Sequence, residues 1–187
     1  MKYYKKLIGE RIYLSPVNIE DAEKYVEWFC DFKTTDGIGK SCSIMTVEAE
    51  REWLENNLKN NDFNFAIVSL ENDELIGNCG IMNINQKDRC AEVGIFIGNE
   101  NNRSKGYGNE SLRILLDYCF NYLNLNNVHL CVMSFNERAM ACYKKVGFKE
   151  YGRRRECYFL NGKYYDHVYM DILSREFEGS YIKNKNV

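Results

Sequence analysis

The chain has 187 residues, enough for one domain with a single core. Its 45% hydrophobic content and single proline exclude a disordered or proline-rich linker protein. A formal charge of −2 gives no reason to expect nucleic acid as a bulk partner, and no apolar run approaches membrane-spanning length.

The N-terminal MKYYKKLIGER lacks the apolar core of an export signal, so a cytoplasmic location without membrane association is expected. The eight cysteines, at 30, 42, 79, 90, 119, 131, 142 and 157, form no Cys-x-x-Cys pair. They read as reduced thiols that pack as small hydrophobes. With only His129 and His167 available, a His-containing zinc site is not expected, and no metal is assigned.

Glu10 to Ser15 reads as a strand with Ile12 and Leu14 inward, ended by Pro16. Asn18 then caps a helix carrying Ile19, Ala22, Val26 and Phe29. Residues 32–45, with Gly37 and Gly39, read as a loop. Thr46 caps a second helix to about Lys59, whose apolar set (Val47, Trp53, Leu54, Leu58) is irregular. Phe63 to Leu70 and Leu75 to Ile84 form a hairpin turned at Asn72-Asp73, with Gly77 and Gly80 marking bulges or a close backbone approach.

After a turn at Gln86 to Arg89, the strand Ala91 to Gly98 puts Ala91, Val93, Ile95 and Ile97 on one face. Glu92, Gly94, Phe96 and Gly98 fall on the other. A loop at 103–108 opens a helix with one apolar stripe: Leu112, Leu115, Leu116, Cys119, Phe120 and Leu123. A strand from Val128 to Phe135 and a helix from Asn136 to Lys145 follow. Phe148 to Leu160 and Lys163 to Leu173 make a hairpin turned at Asn161-Gly162, the strongest hairpin signal in the chain. The residues after Ser174 read as a polar tail that frays, giving one domain over 1–174 and a tail over 175–187. The element order suits an α/β domain on a mixed sheet.

The loop Arg103-Ser104-Lys105-Gly106-Tyr107-Gly108 stands at a helix start, where unpaired N–H groups and the positive end of the macrodipole favour anions. Glycines let a phosphate approach, and Arg103 and Lys105 add charge. The alternative is a tight turn with two solvated cations. A Walker loop is excluded because Lys105 precedes Gly106, and a Rossmann fingerprint because its third glycine is Ser111.

Arg-x-x-Gly-x-Gly resembles the coenzyme A pyrophosphate loop of the GNAT superfamily of N-acetyltransferases. Downstream, Asn136-Glu-Arg-Ala139-Met-Ala-Cys-Tyr143-Lys-Lys-Val-Gly147-Phe148 resembles the second signature of that family. From roughly Ile8 to Leu173 the chain is similar to the branch containing ribosomal-protein N-terminal and bacterial spermidine N-acetyltransferases. The resemblance implies a mixed, mostly antiparallel sheet of about seven strands flanked by about four helices, with the two central strands splayed to admit the cofactor. It implies acetyl-CoA as cofactor and direct attack by a primary amine in a ternary complex. The acceptor expected from it is a polyamine, a protein N-terminus or an amino sugar, and a homodimer is allowed. The rival is a catalytically idle acyl-CoA-binding or regulatory module on the same fold.

The implied reaction needs a base, because an alkylammonium has a pKa of about 10, an oxyanion donor, and an acid for a thiolate whose conjugate pKa is about 8.5. By resemblance, backbone N–H groups near Phe96 supply the donor. Phe96, Ile97 and Gly98, the loop Arg103, Ser104, Lys105, Gly106, Tyr107, Gly108 and Asn109, and Asn136, Ala139 and Tyr143 hold the cofactor. Tyr143 is the candidate acid; the alternative is a core aromatic alongside Ala139 and Val146. Asn136 also reads as a helix N-cap. Glu92 is the candidate base, directly or through water; the alternative is a strand carboxylate paired with a cation. His129 reads as partly buried and structural. Ser104 stands where the family often has glycine.

Charge is uneven. Residues 18–36 hold six acids and two bases, and residues 144–155 six bases and one acid. The first stretch is expected to draw a cationic acceptor and the second to suit coenzyme A phosphates; solvated faces are the alternative for each.

Overall fold

Ile12, Tyr13, Leu14 and Ser15 are all fully buried, so the strand they form has a core on each face. The computed structural model describes residues 2–60 and 62–183. Among these are eight strands: β1 (Leu7–Ile8), β2 (Ile12–Pro16), β3 (Asn64–Ser69), β4 (Leu75–Asn85), β5 (Cys90–Ile97), β6 (Asn127–Met133), β7 (Lys149–Leu160) and β8 (Lys163–Leu173). They form one sheet in the order β1-β2-β3-β4-β5-β6-β8-β7. The helices are α1 (Ala22–Phe29), α2 (Phe32–Thr35), α3 (Val47–Asn60), α4 (Tyr107–Asn121) and α5 (Glu137–Val146). The α/β mixed-sheet expectation holds, with β1 and α2 in addition. Both are too short to show a period in sequence. α2 falls in the segment expected to be loop, where the Asp31 carboxylate accepts the Lys33 N–H at 3.0 Å and starts a turn.

One core lies between the sheet and α4, joining Leu112, Leu115, Leu116 and Cys119 to Ile67, Val93 and Val128. The other lies under α1 and α3, with Tyr13, Tyr25, Trp28, Leu54, Ala66 and Val68. Strand alternation sends Ile12 and Leu14 to the first and Tyr13 to the second. On α1 the buried residues are Ala22, Tyr25 and Trp28, while Val26 of the expected stripe is half-buried. On α3 Leu54 is buried, but Trp53 and Leu58 face solvent, and the inward positions are Glu50 and Asn57. Both expected caps form: Asn18 Oδ1 accepts the Glu20 N–H, and Thr46 Oγ1 accepts the Ala49 N–H.

The pairing of β5 with β6 is parallel and short. It joins Cys90 to Asn127, Ala91 to Val128 and Glu92 to His129. Beyond that point β5 stays with β4 as far as Ile97, and β6 stays with β8 as far as Met133. The strands therefore diverge, as expected, and open a wedge. At the far edge, Asn161 and Gly162 have φ of 48° and 77°, as a two-residue I′ turn requires.

The segment after Ser174 does not behave as a frayed polar tail. Asp117, fully buried on α4, accepts the N–H groups of Tyr181 (2.6 Å) and Ile182 (3.0 Å), and Ile182 is 4% exposed. The Lys183 N–H then reaches the Ile8 carbonyl at 2.7 Å. The expected domain boundary at 174 thus falls short of residues that pack on α4 and β1; residues 184–187 of the expected tail lie outside the described residues. No helix among the described residues is long and apolar enough to cross a membrane.

Candidate active site

The wedge ends at the start of α4. Gly106 is its N-cap, at φ 90°, and no side chain caps the turn. The Glu110 N–H is bonded to the Gly106 carbonyl, so the N–H groups before it have no partner inside the helix. A cavity of about 310 Å³ lies against this turn. Its walls come from Ile95, Phe96 and Ile97 of β5, from Ser104, Gly106, Gly108 and Asn109, and from Asn136, Ala139 and Tyr143 on or beside α5.

This wall fits a phosphorylated cofactor on three counts. Asn109 Nδ2 is buried without a hydrogen-bond partner, while its Oδ1 accepts the Arg113 Nε–H at 3.0 Å. An orphaned buried donor is unfavourable unless a ligand meets it. Arg138 and Lys145, also on the wall, form no ion pair among the described residues. The helix start adds unpaired N–H groups and the positive end of its dipole. Ser104, where glycine is common in the family, takes the left-handed conformation itself, at φ 58°.

Four expected cofactor contacts sit differently. Arg103 reaches the wall, but its Nη2 donates to Thr34 Oγ1 at 2.5 Å and the Gly98 carbonyl at 3.0 Å, and its Nε to the Ile97 carbonyl at 3.2 Å. Burial lowers its pKa, and nearby Arg138 adds to the shift. It is a clamp between β5 and α2 more than a free cation. Gly98 faces away: a Cβ there would collide with the Trp28 indole, and its N–H is bonded to the Ile76 carbonyl. The Lys105 side chain is exposed and off the wall, and its carbonyl accepts Arg11 Nη1 at 2.9 Å. Tyr107 packs on the α4 core under the Arg11 guanidinium, 5.0 Å from its ring centre.

The same geometry redirects the backbone donors of β5. The Gly98 N–H points to β4, and a Cβ on Gly77 would strike the Phe96 carbonyl. Phe96 therefore turns its main chain to β4. By alternation Ile95 and Ile97 turn theirs to the wedge, and Ile97 and not Phe96 has its carbonyl on the Arg103 side.

A second cavity, of about 300 Å³, lies on the α1 and α3 side of the sheet. The two cavities share Gly37, Ile38, Ile95, Phe96 and Tyr143. Tyr143 packs edge-on against Phe148, with ring centres 6.0 Å apart, and no described residue hydrogen-bonds its hydroxyl. Burial pushes its phenol pKa up, Cys142 adds to this and Arg138 opposes it. At neutral pH it is a protonated donor. Asn136 serves as the expected N-cap, accepting the Ala139 N–H at 3.2 Å, and its amide donates to the Gly37 carbonyl at 3.3 Å. It ties α5 to the turn after α2.

Glu92 lines only the second cavity and accepts the Asn83 amide at 2.9 Å, with no cation paired to it among the described residues. The other carboxylate on that wall is Glu50, 2% exposed, its pKa raised by burial against the pull of Lys40. The sequence reading missed it. Its signal was the irregular apolar stripe of α3, where a polar residue occupies an inward position. The acidic run expected to attract the acceptor lies elsewhere: Glu20, Asp21, Glu23 and Glu27 line a separate groove. Of the basic run, Lys149 pairs with Glu176 and Arg153 with Glu150, and Lys145 alone reaches the cofactor cavity.

The wedge thus has room for a long molecule at the helix end and for a second one on the α3 side. The chain belongs to the acetyltransferase (GNAT) domain family, whose match covers residues 11–149. It is 29% identical over 180 residues to a probable N-acetyltransferase of Bacillus subtilis (strain 168), spanning 92% of this chain and 99% of that one. An uncharacterized N-acetyltransferase of Bacillus licheniformis is 28% identical over 177 residues, spanning 92% and 98%. Spermidine N-acetyltransferase from Vibrio cholerae, solved in complex with CoA and spermine, superposes with a TM-score of 0.80 at 25% identity, over 89% of this chain and 97% of that one. The protein is an acetyl-CoA-dependent N-acetyltransferase with an amine acceptor.

Proposed function

We propose that the chain acetylates a small, cationic primary amine, a polyamine in preference to a protein N-terminus or an amino sugar, with Tyr143 as acid and Glu92 as base. The observation that carries this reading is Tyr143, on the wall of both cavities with its hydroxyl bonded by no described residue. Bound acetyl-CoA supplies the acetyl thioester. The first-turn N–H groups of α4, Asn109 Nδ2, Arg138 and Lys145 hold its phosphates, and Ile95 to Ile97 flank its arm. The N–H groups of Ile95 and Ile97 face the wedge and serve as oxyanion donors. Tyr143 Oη keeps its proton until a thiolate departs beside it. Glu92 lines only the acceptor cavity, so it takes the ammonium proton through water.

The Vibrio cholerae relative crystallised with CoA and spermine supports the polyamine class. The eight unpaired cysteines support a cytoplasmic location. A dodecameric structure is known for that relative, and we extend to this chain only self-association, with a dimer as the smallest unit. The test is initial-rate acetylation of spermidine, glucosamine and an N-terminal peptide at fixed acetyl-CoA. Spermidine is expected to have the highest kcat/KM, and its KM is expected to rise with salt. Turnover confined to the peptide or the sugar would overturn the acceptor assignment.

A further inference from the structure

Three carboxylates among the described residues are almost wholly buried: Asp21, Glu50 and Asp117. Two are satisfied. Asp21 accepts the Tyr3 hydroxyl and pairs with Lys2. Asp117 accepts the Tyr181 and Ile182 N–H groups and the Asn121 amide. No described residue donates a hydrogen bond to the Glu50 carboxylate, and it forms no ion pair. A desolvated carboxylate is held at a cost unless something pairs with it. It does not cap its helix either, since Thr46 Oγ1 already takes the Ala49 N–H.

The surroundings say what would pair with it. Glu50 lines the acceptor cavity together with the aromatic side chains Phe29 and Trp53. Lys40, the nearby cation, has its ammonium 5.0 Å from the Phe29 ring centre and not on the carboxylate. A carboxylate beside aromatic faces suits an alkylammonium. Glu50 is also absent from the zone the two cavities share at Ile95, Phe96 and Tyr143. Its charge therefore meets a part of the acceptor away from the reacting nitrogen.

We propose that Glu50 anchors the acceptor by pairing with a second ammonium group, distinct from the one acetylated. This rests on the amine-acceptor reading above and narrows it to diamines and polyamines with an alkyl spacer. An acceptor without the second charge leaves Glu50 buried and unpaired, which is how such a site rejects it.

The experiment compares the wild type with Glu50→Gln and Glu50→Asp, using spermidine and n-butylamine as acceptors. Calorimetry of spermidine binding to the CoA-saturated enzyme gives a readout independent of turnover. Glu50→Gln is expected to raise the spermidine KM and Kd at least tenfold, while the n-butylamine kcat/KM holds or rises and the acetyl-CoA Kd stays as in the wild type. Its Tm is expected to hold or rise, because a buried charge is removed; a purely structural carboxylate would give the reverse. Glu50→Asp keeps the charge and is expected to recover part of the spermidine affinity, and Glu50→Ala, which removes the charge, serves as the test variant if Glu50→Gln does not fold. Wild-type spermidine KM and Kd in Glu50→Gln, or in Glu50→Ala if only that variant folds, would overturn the proposal. So would a wild-type enzyme that prefers n-butylamine to spermidine, and in both cases the amine-acceptor reading survives. A wild-type enzyme that acetylates neither amine would remove that reading and this proposal together.

Discussion

Asn109 gives the sharpest view of the cofactor end, because one substitution there should move stability and binding in opposite directions. Asn109→Asp keeps an oxygen for the Arg113 Nε–H, now 3.0 Å away, and removes the orphaned donor Nδ2. The new charge sits in the first turn of α4. A carboxylate there is worth about 0.3–1 kcal/mol through the helix dipole, and pairing with Arg113 adds a few tenths more, of the order of ~0.5 kcal/mol. The free enzyme should therefore gain roughly 1 kcal/mol. Binding should suffer. A hydrogen bond to a charged phosphate is worth about 1.5–3 kcal/mol, and like-charge repulsion adds to its loss. Acetyl-CoA affinity should fall by at least about tenfold. Thermal unfolding without ligand and calorimetric titration with acetyl-CoA measure the two halves. An Asn109→Asp protein with wild-type acetyl-CoA Kd would refute the placement of phosphates at this turn.

Gly98→Ala tests whether that glycine is scaffold or cofactor site. The added Cβ would overlap the Trp28 ring, which Tyr25 and Phe96 hold in place at 5.6 and 6.0 Å. A loss of about 1–3 kcal/mol in denaturant unfolding is expected, with acetyl-CoA Kd unchanged in the folded protein; wild-type stability with weakened binding would reverse the assignment. Glu50 should also leave a mark on the pH dependence of stability. Burial holds its folded pKa above the ordinary range, with Lys40 opposing, whereas in the unfolded chain it titrates near about 4.3. The folded state thus keeps the proton more tightly, so the penalty is absent below the unfolded pKa and grows as pH rises above it. Glu50→Gln should gain stability over the wild type at pH 7 and not at pH 4; an equal difference at both would contradict the burial argument.

Local chemistry was legible in the sequence. Asn161-Gly162 could only be a tight turn, the stripe on α4 could only face a core, and Asn18, Thr46 and Asn136 announce helix starts that the structure contains. The two motifs brought α4 and α5 to one cavity. What escaped depends on residues far apart in the chain. Arg103 looks like a free cation until Thr34 and the Gly98 carbonyl take its N–H groups. The tail looks loose until Asp117 takes its backbone. Phe96 looks like the oxyanion donor until its pairing with Asn78 of β4 turns its main chain away. Glu50 was hidden for a different reason: one inward polar residue on a short helix reads as an irregular stripe, and only burial without a partner makes it a site.

The central claim is that the Tyr143 hydroxyl is the acid at the seam of the two cavities, and Tyr143→Phe tests it most directly. The ring and its contact with Phe148 remain, and only a hydroxyl with no described partner is lost. Tm and acetyl-CoA Kd should therefore match the wild type. In steady-state assays with spermidine, kcat and kcat/KM should fall together by about 10²–10⁴-fold, because the proton is needed only as the C–S bond breaks. A Tyr143→Phe enzyme that is stable, binds acetyl-CoA and turns over at the wild-type rate would contradict the account.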